Sequence, residues 1–291
     1  MVTDVVSPLV APGRGGGLLE VARRRYLLRL VVRRELRRRY QGSLLGLGWS
    51  YVRPAVNFCV YYFVVGIFLR MAKAVPAFPV YLFSGMVLVN FFTETLITAT
   101  WSVIGNRALV QKVYLPREVF PTASMLVSLV QMVPALVILL VGALLAGWSP
   151  SALALGSAAL GLAIVIVLAL ALGLLFSAVN VFFRDFGQVV DILALVIPWT
   201  TPMIYRWTAV KMSASTLGLQ IYLANPLAIA VSLFQRAFWW PTTGRPFRPG
   251  DQRFPDHLTT RGLVALAAAI VLLAIGQTVF RRVQWRFAQE L

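Results

Sequence analysis

One cysteine and one histidine stand in this chain of 291 residues. The lone Cys59 excludes an intramolecular disulfide, and the lone His257 excludes a paired-histidine zinc site and leaves little for histidine acid–base chemistry. Lysine is almost missing as well, with Lys73, Lys112 and Lys211 the full complement. They follow Ala72, Gln111 and Val210, whereas a phosphate-binding loop needs lysine after glycine. No such nucleotide loop is present. Charged residues make up 13% of the chain, against roughly 25% in a soluble domain. That shortage excludes an ordinary water-soluble enzyme. With 59% hydrophobic residues and a mean hydropathy of +0.79, the bilayer is the expected solvent.

A membrane helix needs about 20 mostly apolar residues. Charge is absent over 54–69, 74–93, 119–183, 192–205, 212–235 and 262–280. The third stretch is too long for one helix, and Gly147-Trp148-Ser149-Pro150 breaks it into an antiparallel pair. Six spans follow, with 212–235 as a doubtful seventh. Asn225-Pro226 interrupts that segment, because proline removes a backbone donor and clashes with the preceding turn. Two re-entrant half-helices suit it better than one continuous span. Arginine accumulates on one side in either count, so charge counting does not choose between six and seven. Residues 1–20 lack the apolar core of a signal peptide and read as a flexible leader.

The charge that is present is lopsided: 27 basic residues against 10 acidic, a net of +17. Nine arginines and one acid, Glu35, fall between Arg23 and Arg39. Leu28, Val32, Leu36 and Tyr40, with Leu27 and Val31 beside them, form an apolar stripe among them. This is the pattern of an amphipathic helix in the membrane interface. Its plain reading is an anchor to anionic lipid; its sharper reading is recognition of a phosphorylated head group, since arginine grips phosphate bidentately. Nucleic acid is not an expected partner, because no soluble domain presents the run. Gly42, Gly46 and Gly48 follow without a preceding strand, so they are not a dinucleotide loop. They read as a hinge turning the chain from the surface into the first span, with Trp49 and Tyr51 at headgroup depth.

Three blocks carry a resemblance. They are Arg39-Tyr40-Gln41-x-Ser43-x-Leu45-Gly46 with Trp49-x4-Pro54, then Asn106-Arg107-x-Leu109-Val110-x-Lys112-Val113-Tyr114-x-Pro116-Arg117-Glu118, then Asn180-x3-Arg184-Asp185. Together they resemble the type-2 ABC transporter permeases, and within them the exporters of O-antigen, teichoic acid and mycobacterial galactan. The resemblance implies an all-α integral membrane protein with six spans and re-entrant helices between the fifth and sixth, at about 206–261. It implies a homodimer working with two copies of a separate ATPase that holds ATP and Mg, in the cytoplasmic membrane with both termini inside. This chain itself would hold no cofactor, metal or catalytic group. The cargo would be a polyprenyl-diphosphate-linked polysaccharide, with Arg34, Arg38 and Arg39 placing the diphosphate.

The loop at about 100–118 is the one sizeable loop expected between spans on the inner side. It has apolar residues to pack and room for a short helix ending before Pro116. Under the resemblance Arg107, Leu109, Lys112, Tyr114 and Arg117 couple it to the ATPase, and the turn at Arg184 and Asp185 either flanks a helix or touches the same machinery. Glu94 ends a charge-free run and needs a protein or water partner. Phe58, Tyr62, Phe92 and Trp101 suit a track for sugar faces or plain packing. An exporter of drugs or small lipids would share this outline. A membrane enzyme acting on lipid-linked sugar would need paired acids or a histidine, and the acids are scattered.

Overall fold

The computed structural model describes residues 17–43, 46–112, 115–244 and 253–291. Every regular element among them is helical. A short helix α1 (Gly17–Arg23) leads into α2 (Arg25–Tyr40), and α3 (Trp49–Tyr61) continues through a wider π-helical stretch, Tyr62–Phe68. After α4 (Met71–Ala74) come α5 (Phe78–Gly105), α6 (Arg107–Lys112), α7 (Val119–Leu145) and α8 (Ala152–Phe182). Then follow α9 (Phe186–Val196), α10 (Trp207–Ser213), α11 (Thr216–Leu223), α12 (Pro226–Thr242), α13 (Leu258–Val283) and α14 (Phe287–Glu290). Helix α1 begins inside the stretch read as a leader, because Leu18 and Val21 find apolar cover against the bundle.

Among the described residues, five helices are long and apolar enough to cross a membrane: Trp49–Phe68, α5, α7, α8 and Leu258–Glu290. The break between the third and fourth falls at Gly147, which has a φ of +83°, and Ser151 caps α8 by accepting a bond from the Ala154 amide at 3.1 Å. The fifth expected span, at 192–205, differs from expectation. Its helix starts at Phe186, carries Asp191 within it, and stops after a tight turn at Ile197–Thr200. Those 15 residues rise only about 22 Å, short of the roughly 30 Å of hydrocarbon. The chain then turns, and Met203 packs against Gly85, inside the outer end of α5.

Segment 212–235 is indeed broken, with α11 and α12 meeting at 75°. Asn225 caps α12 by accepting from the Leu227 amide at 3.0 Å, and Pro226 occupies the first helical position, where its missing donor costs nothing. Direction follows from contacts. Ala230 lies opposite Gly161, Arg236 opposite Ser157, and Trp239 reaches the carbonyl of Pro76 at 2.7 Å. Helix α12 therefore climbs from mid-bundle to the end away from α1 and α14, antiparallel to α8.

Helix α8 is central, packed on α5, α12 and α13. Glycines allow backbone-close approach, as membrane helices need: a β-carbon on Gly276 would fall 2.7 Å from the Ala171 carbonyl oxygen. Helices α1, α2 and α14 lie at one end of the bundle, the terminal end. There Val21 and Val31 share an apolar cluster with Val110, Phe120, Phe280 and Phe287.

Candidate functional site

Helix α5 has 28 residues and is about 42 Å long, so it outruns the hydrocarbon. Helix α2 packs along α7 beside the overhanging end of α5, at the terminal end of the bundle. Its buried stripe is the one periodicity marks: Val31 is buried, and Leu27, Leu28 and Val32 are partly so. The arginines project elsewhere. Arg34 donates to the Asn106 side chain, Arg38 pairs with Glu35 at 2.9 Å, and Arg39 pairs with Glu94 on α5. Glu94 thus has the protein partner an acid at this depth requires.

Tyr40 ends α2 and ties three elements together. Its hydroxyl accepts from Gln131 Nε2 on α7 at 3.0 Å and lies 2.6 Å from Ser50 Oγ on α3. The hinge follows directly. Gly42 and Gly46 have φ of +77° and +49°, with open space around both, so backbone conformation alone demands glycine there. Gly48 sits in ordinary helical conformation at φ −58° and carries no such demand. Trp49 and Tyr51 are exposed just beyond.

Two cavities flank Arg39. The larger, about 320 Å³, lies between α3, α5 and α7. Its lining holds Arg39, Arg53, Glu94 and Trp49, the amides Asn57, Asn90 and Gln131, one from each of three helices, and apolar side chains such as Met86 and Ala135. The smaller, about 250 Å³, lies between α2, α5 and α7 and is walled by Arg38, Glu35, Trp101 and Asn106. Charge listing along the sequence passed over Asn57, Asn90 and Gln131. A search for amides inside apolar runs would have found them.

The aromatic residues divide. Phe58 stacks on Tyr62 at 5.7 Å and meets Phe83 edge-on at 5.3 Å, while Phe92 is buried in the main core. Trp101 lies against Gly187 and walls the smaller cavity.

The loop at about 100–118 includes α6, whose Arg107 and Lys112 are exposed while Leu109 packs inward and Val110 is buried. Tyr114 lies outside the described residues. Arg117 stacks over the Phe287 ring at 5.9 Å. Beside it, burial pushes the Glu118 carboxyl above its usual range; Gln284 Nε2 donates to one oxygen at 3.3 Å. Arg184 and Asp185 are exposed on the turn before α9. That turn is held by Asn180, which donates to the Thr100 carbonyl at 3.1 Å and accepts from the Gly187 amide at 2.8 Å. Among the described residues no three His, Cys, Asp or Glu side chains are grouped to hold a metal.

A helical bundle with several candidate membrane spans, a bent helix pair and a cationic helix at its terminal end is a polytopic membrane protein. Residues 26–239 match the model of the ABC-2 type transporter family. The chain belongs to that family, as a membrane permease. It is 28% identical over 275 residues to the O-antigen export system permease protein RfbA of Myxococcus xanthus, covering 94% of this chain and 98% of that one. To a protein of the same name from Klebsiella pneumoniae it is 23% identical over 265 residues, covering 91% and 95%.

Proposed function

We propose that this chain is the permease subunit of an exporter that moves a polyprenyl-diphosphate-linked polysaccharide across the cytoplasmic membrane. A separate ATPase, in two copies, binds ATP and Mg and supplies the work. The observation that carries this reading is similarity to O-antigen export permeases over 91–94% of the chain. A diphosphate cargo also gives the cationic helix a purpose that an uncharged sugar does not.

The terminal end, with its arginine-rich α2 and with α1 and α14 packed beside it, faces the cytoplasm by the positive-inside preference. Exposed Arg107 and Lys112 on α6 and the turn at Arg184 and Asp185 are the surfaces offered to the ATPase. A second copy of the chain completes the pathway. The segment from α10 to α13 closes its outer side.

The test is reconstitution with the cognate ATPase in liposomes. Lipid-linked glycan should stimulate ATP hydrolysis and be carried across, while drugs and phospholipids should not stimulate. Stimulation by a small lipid or drug alone would replace this cargo with another. A reporter fused after Leu291 should be active only on the cytoplasmic side.

A further inference from the structure

The larger cavity holds more polar hardware than packing requires. Among the described residues, the half-buried side chain of Asn90 and the exposed side chains of Arg53 and Asn57 make no hydrogen bond or ion pair. Ser128 is 2% exposed and lines the same cavity, and its hydroxyl has no partner. A buried hydroxyl without a partner is costly, and amides at bilayer depth are costly unless something meets them. The wall on α5 runs from Glu94 to Phe83, about 16 Å along the helix. Along that wall Glu94, Asn90, Met86 and Phe83 follow in turn, so charge comes first, then an amide, then apolar side chains.

That order matches the reducing end of a lipid-linked glycan. Phosphate calls for guanidinium groups, and an uncharged sugar calls for amides and hydroxyls that donate and accept. The volume of about 320 Å³ is at the low end of small-ligand cavities, roughly 300–1,000 Å³. It admits a head group with one sugar and excludes a polymer.

Resting on the cargo class proposed above, we infer that this cavity binds the diphosphate–sugar junction, and that the Arg39–Glu94 ion pair is its latch. The diphosphate takes Arg53 and competes with the Glu94 carboxylate for Arg39. Asn57, Asn90 and Ser128 meet the first sugar. Exchange of partners at Arg39 would release the end of α2 from α5 and so report cargo arrival to the helix beside the coupling loop. Arg34 and Arg38 have partners elsewhere, and Arg39 is the arginine of α2 that lines this cavity.

The probes are polyprenyl diphosphate bearing one sugar, the same lipid without sugar, and phosphatidylglycerol, each titrated onto the permease–ATPase complex in nanodiscs. Arg53→Gln should weaken binding of both diphosphate lipids by about tenfold or more, as loss of a charge-assisted phosphate contact does. Asn90→Ala should lower affinity for the glycosylated lipid alone. Glu94→Gln should tighten diphosphate binding several-fold, a gain that misfolding does not produce. Unchanged binding in Arg53→Gln, or weaker binding in folded Glu94→Gln, overturns the site while leaving the cargo reading in place. If the wild-type complex prefers neither diphosphate lipid over phosphatidylglycerol, the site and the cargo reading fall together.

Discussion

Trp101 and Gly187 are in direct contact: a β-carbon added to Gly187 would lie 2.1 Å from Cζ2 of the indole. The contact joins the terminal end of α5 to the first turn of α9. It fixes where the short fifth segment starts, and Asn180 bridges the same two segments through Thr100 and the Gly187 amide.

Replacing Gly187 with alanine should therefore force the indole aside and cost about 1–3 kcal/mol, the usual penalty of overpacking. The check is a lowered thermal midpoint of the purified permease. A smaller ring in Trp101→Phe should recover part of the loss in the double variant, and a purely additive double variant would show that the two do not communicate.

Arg236 is buried and donates twice to Ser157 Oγ, at 3.0 and 2.7 Å, and to Thr259 Oγ1 at 2.9 Å. It pins α12 to α8 and α13 at once. Ser157→Ala removes two of those bonds and should destabilise by about 1–3 kcal/mol, the cost of under-bonding a buried donor. Ser157→Thr keeps the hydroxyl and should stay near wild type. Thermal midpoints of the two variants decide the matter.

Glu118 gives a pH dependence. Its folded-state pKa is raised, chiefly by burial, so the ionised form is the costly one. The penalty is absent below the ordinary carboxylate range, grows between the ordinary and raised values, and is complete above the raised one. Glu118→Gln keeps an acceptor for Gln284 and should be more stable than wild type at neutral and alkaline pH. That advantage should shrink as pH falls, measured by thermal unfolding across the series.

Phe92 and Tyr62 should separate on truncation, although sequence placed both among candidate track residues. Phe92 is 4% exposed in the main core, and its replacement by alanine should cost about 3–5 kcal/mol and lower the yield of folded protein. Tyr62 is only half-buried and stacked on Phe58; its replacement forfeits about 0.5–1.5 kcal/mol from that pair. Export per folded molecule, set against fluorescence-detected chromatography, checks both. Tyr62→Ala is the cleaner probe of a sugar track.

The spans were legible because hydrocarbon excludes charge, so charge-free runs of the right length mark α5, α7, α8 and α13 directly. The fifth was misplaced by six residues, since Asp191 lies within its helix and the method stops at any charge. The break at Asn225-Pro226 was legible from backbone chemistry, and so was the stripe of α2. The three glycines after α2 differ in backbone conformation. Only Gly42 and Gly46 need the left-handed region, and φ is not written in a glycine triplet.

Sequence by itself determined the solvent of this protein, the rough position of its long apolar helices, and the cationic helix before the first of them. Each depends on hydropathy and periodicity, which are local properties. Tertiary structure alone decided that Arg39 reaches Glu94, that Trp101 rests on Gly187, and that Asn57, Asn90 and Gln131 face one cavity from three helices. Amides barely alter hydropathy, and which faces of packed helices meet is set by side-chain interlocking between segments far apart in the chain.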